Sequence, residues 1–105
     1  MAHSGLVIEV RTTEVFDAWL AQLRDKSARI RIQVRIDRLA LGNSGQHRVL
    51  ANGLRELKVD CGPGYRIYYV QRGTLVVVML CGGDKRSQSQ DIEKASVLKK
   101  MLEEA

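Results

Sequence analysis

Apolar and polar positions in the middle of the chain predict three consecutive β-strands joined by short turns. The strands cover residues 54–59, 65–71 and 74–81, which are rich in β-branched, aromatic and long aliphatic side chains. Glycine steps separate them, with Gly62-Pro63-Gly64 in the first connection and Arg72-Gly73 in the second. Glycine favours turns because it adopts positive φ without steric cost. This stretch therefore predicts a small, mainly antiparallel sheet.

Side-chain patterning distinguishes the last two of these strands. Residues 74–80 lack alternation, so we expect that strand to be central in the sheet and covered on both faces. Successive side chains on a strand point to opposite faces. The middle strand should therefore place Arg66, Tyr68 and Val70 on one face and Tyr65, Ile67 and Tyr69 on the other.

The N-terminal part predicts a short strand and then a helix. Residues 6–11 form the strand, which we expect to pair with the edge of the later sheet. Thr12-Thr13 offers an N-cap. The apolar residues that follow recur at helical spacing, and they are Val15, Phe16, Trp19, Leu20 and Leu23. We therefore expect Phe16 and Trp19 to pack in the core rather than to stack on bases.

Residues 25–41 fit two patterns. Strict alternation over residues 29–37 is typical of a half-buried strand. The same stretch also fits a helix with an N-cap at Asp25 or Ser27 and a C-terminal stop at Gly42-Asn43. One side of that helix would carry Ala28, Ile32, Ile36, Leu39 and Ala40. No hairpin turn flanks the run, and its pattern alone leaves both interpretations open.

The remaining segments are a polar loop, a terminal helix and a short tail. Residues 43–47 predict the loop, and we expect His47 to be an exposed loop residue rather than a catalyst. Ser87-x-x-Gln90 would form a capping box for the terminal helix. The apolar stripe of that helix consists of Ile92, Ala95, Leu98 and Leu102. Residues 1–5 are expected to be flexible.

Length and charge narrow the class of protein. The chain has 105 residues, enough for one domain that spans residues 1–105 and has a single modest core. Its net charge is +5, from 17 Lys and Arg against 12 Asp and Glu, and favours a polyanionic partner such as RNA, DNA or an acidic protein. Many small basic proteins nevertheless bind no nucleic acid.

Cysteine spacing and hydropathy predict a cytoplasmic protein without a metal site or a membrane segment. Cys61 and Cys81 are not in a C-x-x-C pair, and no Cys/His cluster has metal-ligand spacing. We expect both to be reduced thiols. No run approaches the roughly 18 apolar residues of a membrane span, and no signal-peptide pattern is present.

Three motifs follow one another in the strand region. They are Glu56-Leu57-Lys58, Gly62-Pro63-Gly64-Tyr65-Arg66 and Gly82-Gly83-Asp84-Lys85. Together they resemble the RelE/ParE toxin superfamily, and in particular its HigB-like addiction module killer protein branch. The resemblance extends from about Val7 to the C-terminus. It implies an α+β, RelE-like fold, in which two N-terminal helices and a C-terminal helix pack on a mainly antiparallel sheet. It therefore favours the helix over residues 25–41.

The resemblance also implies an activity and its partners. It indicates a toxin of a type II toxin–antitoxin system that cleaves mRNA on the ribosome and so inhibits translation. A cognate antitoxin, of the helix-turn-helix type, would neutralise it, and operator DNA would be contacted only through that antitoxin. The cleavage implies no cofactor. It requires a base for the RNA 2′-hydroxyl, charge stabilisation at the phosphate and an acid for the leaving 5′-oxygen.

Four residues match positions at which this chemistry is expected. Arg66 stands where the family carries its phosphate-binding arginine, and a guanidinium can bind two phosphate oxygens at once. Lys58 would share a face with Arg66 in an antiparallel register, and neighbouring cations would favour its neutral, basic form. Glu56, on the same face, would orient these two residues or act as the base, although the better known members of the family carry a basic residue near this position. Lys85 corresponds to a late phosphate-contacting arginine.

Further RNA contacts are expected around this group. The candidates are Arg55 and Gln88 near the strands, and Arg31 and Arg35 on an arginine-rich segment that would dock on ribosomal RNA phosphates. Several ribonuclease members of the family carry a Tyr or His just after the last motif. Residues 86–91 of this chain contain neither.

The same fold supports two other functions. One is a ParE-like toxin that inhibits DNA gyrase by binding, without nuclease chemistry. The other is a degenerate toxin that acts only in regulation with its antitoxin. Converging cations at Arg66, Lys58 and Lys85 favour the nuclease, whereas the missing Tyr or His favours the alternatives.

Overall fold

The computed structural model describes residues 7–105, so the expectation for residues 1–5 lies outside it. In chain order the described elements are β1 (Glu9–Thr12), α1 (Glu14–Gln22), α2 (Lys26–Ala40), β2 (His47–Val49), β3 (Arg55–Val59), β4 (Tyr65–Arg72), β5 (Val76–Asp84) and α3 (Gln88–Glu104). Short 3-10 turns, Ala51–Gly53 and Lys85–Ser87, precede β3 and α3. The predicted α+β class, with two N-terminal helices and one C-terminal helix, is confirmed.

The strands form one five-stranded sheet in the order β1-β5-β4-β3-β2. The β1 strand pairs in parallel with β5, and the other three pairs are antiparallel. The predicted pairing of the N-terminal strand with the later sheet is therefore confirmed. So is the central place of the last strand, because β5 lies between β1 and β4 and residues 77–81 are buried.

Two strand predictions need correction. The β2 strand was missed, because His47 was placed in the loop, Arg48 and Val49 were assigned to no element, and three residues are too few to show a periodic pattern. The last strand was expected over residues 74–81 but spans Val76–Asp84. Its glycines continue the ladder instead of ending it, because Gly82 pairs with Ile67 and Gly83 with Arg66.

Both N-terminal helices begin at the predicted caps. The Thr13 hydroxyl accepts a hydrogen bond from the Phe16 N–H at 3.0 Å and donates one to the Leu80 carbonyl at 2.6 Å. It thus caps α1 and ties it to β5. The Asp25 carboxylate accepts from the Ala28 N–H at the start of α2. Gly42, with φ of 91°, follows the last turn of α2.

Residues 26–40 form a helix, and the burial of their apolar side chains follows the spacing of a helix and not that of a strand. In α2 the side chains of Ala28, Ile32, Ile36 and Leu39 are buried. Ile30 and Val34, which a half-buried strand would place beside Ile32 and Ile36, are exposed. The helix interpretation that the resemblance favoured is therefore confirmed.

The sheet separates two apolar cores. The first lies under α1 and α2 and contains Phe16, Ile32, Ile36, Leu57, Ile67 and Met79 among its buried residues. The second lies under α3 and contains Leu54, Tyr68, Val70, Leu80 and Ala95. The predicted split of β4 holds, because Tyr65, Ile67 and Tyr69 belong to the first core, whereas Tyr68 and Val70 belong to the second. Ile92, Leu98 and Leu102 complete the predicted stripe of α3.

Two successive glycines let a helix approach each face of β5. A Cβ atom at Gly82 would lie 2.4 Å from the Trp19 ring, which packs on that face between Phe16 and Tyr65. A Cβ atom at Gly83 would lie 1.8 Å from the Asp91 carboxylate on the other face. Both distances are far below van der Waals contact, so the second turn of α1, through Trp19, and the first turn of α3 dock where the strand has no side chains.

The N-terminus of α3 is fixed by a different cap from the one predicted. Ser87-x-x-Gln90 does not form the capping box, because the box lies one turn earlier, between Asp84 and Ser87. The Ser87 hydroxyl also donates to the Asp91 carboxylate at 2.5 Å. These bonds anchor the helix to the end of β5, next to Gly83.

The two cysteines are not linked to each other. Cys81 is buried in the second core, and its thiol donates to the Asp91 carbonyl at 3.6 Å. Burial, helped by the charge of Asp91, raises the pKa of this thiol to about 11. Within residues 7–105, no helix is both long and apolar enough to cross a membrane.

We expect Gly82→Ala to destabilise the fold by about 1–3 kcal/mol, because the new methyl group would overlap the Trp19 ring. Urea unfolding of a double-mutant cycle with Trp19→Ala tests this cause. Without the ring, the added cost of Gly82→Ala should largely disappear. Equal costs in both backgrounds would contradict the packing argument.

Candidate functional site: a basic cleft beside the third helix

An open cleft lies on the α3 side of the sheet, where the helix covers β4 and β5 but leaves β2 and β3 uncovered. Its volume is about 400 Å³. The lining residues are Gln46, His47, Arg48, Glu56, Lys58, Arg66 and Gln88. They come from β2 and the residue before it, from β3 and β4, and from the first turn of α3.

Strand register brings the central cations together. Lys58 on β3 lies directly opposite Arg66 on β4, and Glu56 lies opposite Arg48 on β2. Directly opposed residues of an antiparallel pair point to the same face with Cβ atoms about 5 Å apart. The predicted common face of Lys58 and Arg66 is therefore confirmed.

A buried carboxylate organises the floor of this cleft. Glu56 is only 3% exposed. Arg48 donates to both of its oxygens, from Nε at 2.8 Å and from Nη2 at 3.3 Å. Gln88 donates from Nε2 at 3.0 Å, and the Arg66 Nε lies 3.9 Å away. One carboxylate thus connects β2, β4 and α3.

These contacts decide the protonation state of Glu56. Burial by itself raises the pKa of the carboxyl group, but hydrogen bonds from Arg48 and Gln88 and the charge of Arg48 outweigh it and lower the pKa below its usual value. The carboxylate is therefore ionised at neutral pH and fully engaged. It is a poor proton acceptor, so its geometry fits the orienting role rather than the role of general base.

The Arg66 guanidinium is nearly buried but retains capacity to donate hydrogen bonds. The residue is 8% exposed, and its Nη1 donates to the Gly64 carbonyl at 3.2 Å. Within the described part of the chain, its buried Nε has no hydrogen-bond partner. A buried donor without a partner is costly. The nearest anionic group to this Nε is the Glu56 carboxylate, at 3.9 Å.

The side chains of the cleft suit an anionic ligand. Arg48, Lys58 and Arg66 supply three positive charges against the single negative charge of Glu56. Among residues 7–105, no group of three His, Cys, Asp or Glu side chains has the arrangement of a metal site. A phosphate group could therefore be bound by charge-assisted hydrogen bonds from the cations.

A relative of this chain is an uncharacterized protein of Haemophilus influenzae. The two are 40% identical over 97 residues, which is 92% of this chain and 98% of that protein. This chain belongs to the same family as the Haemophilus protein. No protein-family model matches the chain. The alignment covers nearly the full length of this chain and of the Haemophilus protein, so the similarity extends over the whole fold.

Two further predicted residues lie close to the central cations. Gln88 binds Glu56 and lines the cleft. Lys85 is exposed in the turn before α3, and its Cβ lies about 3.9 Å from the position that a Cβ of Gly64 would occupy. Because the Gly64 carbonyl also binds Arg66, Lys85 stands at the Arg66 end of the cleft.

Three predicted RNA contacts lie away from the cleft. Arg55 is opposite Tyr69, whose side chain belongs to the first core, so it occupies the other face of the sheet. Arg31 is exposed on α2, also on the side of the first core. Arg35 binds the carbonyls of Ser44, Gln46 and Lys58. These arginines do not join Arg66 at one site.

Arg48 and Gln46 are the site residues that the sequence analysis missed. Arg48 was overlooked because no strand was predicted there, although Gln46 and Arg48 already show the spacing of two that places side chains on one strand face. His47 contributes to the wall of the cleft, but it is opposite Leu57, which is buried in the first core. Alternation therefore directs its side chain away from Lys58.

We expect Glu56 to make stability depend on acid pH. Its pKa is lowered in the folded state, so its contribution is present above the unfolded pKa of about 4.3 and is lost as the pH falls through the folded value. Glu56→Gln should lower stability at neutral pH and flatten this acid dependence. Urea titrations between neutral pH and about pH 3 measure both effects.

The matched control is Glu93→Gln, which removes an exposed carboxylate from α3. It should leave the acid dependence nearly as in the wild type. If the stability of Glu56→Gln depended on pH as that of the wild type does, the contacts of the Glu56 carboxylate would not contribute to folding as described.

Proposed function

We propose that this protein is the toxin of a type II toxin–antitoxin system and acts as a ribosome-dependent mRNA endoribonuclease. The observation that carries the proposal is the pairing of Lys58 with Arg66 on one open face of the sheet, with Lys85 at the same end. The resemblance to the RelE/ParE superfamily implies phosphate contact for Arg66 and Lys85, and Lys58 is the candidate base. Their convergence is what cleavage of a phosphodiester requires.

The proposed reaction proceeds by attack of the RNA 2′-oxygen on the adjacent phosphorus. A base takes the 2′-hydroxyl proton, the bond from phosphorus to the 5′-oxygen breaks, and that oxygen receives a proton. The products are a 2′,3′-cyclic phosphate and a free 5′-hydroxyl. Arg66, which lines the cleft, would bind the non-bridging oxygens through its guanidinium group and stabilise the developing charge. Lys58, directly opposite, is the candidate base in this cleft.

Glu56 and its partners would prepare the cleft for this step. A guanidinium fixed by a carboxylate loses less conformational freedom when it binds phosphate than one that moves freely in solvent. Glu56 holds Arg48 through two hydrogen bonds and lies beside Arg66. Gln88, in the first turn of α3, donates a further hydrogen bond to the Glu56 carboxylate. The anionic Glu56 would therefore aid binding of an anionic substrate by fixing cations around it.

We expect Arg66→Ala to abolish ribosome-dependent mRNA cleavage and growth inhibition while the protein remains folded. Loss of a charge-stabilising donor typically lowers catalysis by about 10²–10³-fold. The assay maps new 5′ ends on a defined mRNA in a reconstituted translation reaction, with and without ribosomes. Arg72→Ala is the matched control, because Arg72 lies on the same strand but is exposed at its far end.

The outcomes of that assay separate the candidate functions. Cuts that appear only with ribosomes and vanish in Arg66→Ala support the nuclease. Intact mRNA with the wild-type protein, together with inhibition of DNA supercoiling by gyrase, would instead establish the ParE-like function. Full cleavage by Arg66→Ala would reject the phosphate-binding role of this residue.

The outer face of α2 has the features of a docking surface for a protein partner. Ile30 is 65% exposed and lies between two grooves, one of about 530 Å³ toward α1 and one of about 300 Å³ toward the end of β3. Val34 continues the apolar ridge one turn later. The basic side chains Lys26, Arg29, Arg31 and Arg38 line the two grooves. Apolar contacts within a basic rim suit an acidic amphipathic segment, which we assign to the antitoxin.

We expect Ile30→Asp to prevent neutralisation without reducing toxicity, because it places a charge in the centre of that ridge. Growth is measured during co-expression with the protein encoded beside the toxin gene. Val97→Asp is the matched control, since Val97 is similarly exposed, at 60%, but lies on α3. Normal neutralisation of Ile30→Asp would place the antitoxin elsewhere.

A further inference from the structure

Arg35 gathers three backbone carbonyls at one corner of the sheet. Its Nη2 donates to the Ser44 carbonyl at 3.2 Å and to the Gln46 carbonyl at 3.0 Å. Its Nη1 donates to the carbonyl of Lys58. The side chain reaches this corner from α2, which packs on the opposite face of the sheet from the cleft.

The three carbonyls belong to the segments that build one wall of the cleft. Residues 43–46 lead directly into β2, and Lys58 is on β3. The two segments are also joined by a hydrogen bond from the Lys58 N–H to the Gln46 carbonyl at 3.1 Å. Arg35 thus fastens the beginning of β2 to β3 at the point where Gln46 and Lys58 enter the cleft.

The short β2 strand needs such a fastening. It has only three residues, all exposed, and it is at the edge of the sheet. An edge strand of this length contributes little pairing energy of its own. Its register nevertheless determines where Arg48 meets Glu56.

We propose that Arg35 is a positioning residue of the cleft, which holds Gln46, Arg48 and Lys58 in place from the far side of the sheet. This inference rests on the proposed RNA-binding function of the cleft, and it replaces the expected role of Arg35 as a direct phosphate contact. Gly45 lies beside the Arg35 guanidinium and takes part in the same arrangement. A Cβ atom at Gly45 would lie 2.9 Å from the Arg35 Nη2, so only glycine lets the guanidinium reach the loop.

The test compares Arg35→Lys with Arg35→Ala and with Arg31→Ala. A lysine keeps the charge but, as a compact ammonium without the planar fork of arginine, does not hold the three carbonyls together. Arg31 is an exposed arginine one turn earlier on the same helix. Two quantities are measured for each variant: hydrogen exchange of the Lys58 amide by NMR, and the rate of mRNA cleavage on programmed ribosomes.

A positioning role predicts that Arg35→Lys and Arg35→Ala behave alike. In both, protection of the Lys58 amide and the cleavage rate should fall by roughly tenfold or more, while Arg31→Ala should leave the protection of the Lys58 amide unchanged. In the Arg48→Ala background, Arg35→Ala should reduce the cleavage rate by a smaller factor than in the wild type, because Arg48 is one of the groups that Arg35 positions.

Other results would overturn the inference. If Arg35→Lys retains wild-type cleavage and Lys58 protection while Arg35→Ala loses cleavage, Arg35 acts through its charge, as a phosphate contact does. Unchanged protection in both variants would reject the positioning role. If the wild-type protein cleaves no mRNA, the proposed function fails, but the exchange measurement still decides whether Arg35 holds β2.

Discussion

The ion pair between the buried Glu56 carboxylate and the exposed Arg48 guanidinium is the interaction on which the cleft depends. A carboxylate that is 3% exposed would be strongly unfavourable without partners, and here it has two hydrogen bonds from Arg48, one from Gln88 and the nearby charge of Arg66. Such a group specifies geometry more than it adds net stability. Each partner comes from a different element, so the carboxylate fixes how the edge strand, the middle strand and the terminal helix meet.

The opening of the cleft follows from the way in which the helices divide the sheet. On one face α1 and α2 form the first core, so this side presents Leu57 and Ile67 to apolar neighbours. On the other face α3 covers β4 and β5 and stops short of β3. Polar side chains at alternate positions of β3 and β4 therefore line an open cleft at this end of the sheet. The glycine at position 83 brings the first turn of α3 close enough for Gln88 to reach Glu56.

The sequence predicts most of the fold because long elements leave strong patterns. Helical spacing located α1 and α3, the Thr12-Thr13 cap marked the start of α1, and turn glycines located β3 and β4. Local pattern was weakest where tertiary contacts decide the outcome. The choice for residues 25–41 depended on which isoleucines are buried, and β2 exists because Arg48 binds Glu56 and Arg35 binds the preceding loop. Neither contact is visible in a run of three residues.

In the site, too, strand geometry could be predicted from the sequence, whereas the tertiary contacts of side chains could not. Alternation and the antiparallel register were enough to place Lys58 opposite Arg66, since both follow from the strand geometry. The arginines of α2 could not be assigned in that way, because a solvated cation and a cation bound to carbonyls look identical in a sequence. Arg35 differs from Arg31 only in what surrounds it. A surface arginine contributes to the general field that attracts a polyanion. An arginine that holds three carbonyls contributes by fixing backbone, and its effect reaches the ligand through the residues that it positions. Net charge alone therefore overstates how many cations of a basic protein contact its nucleic acid.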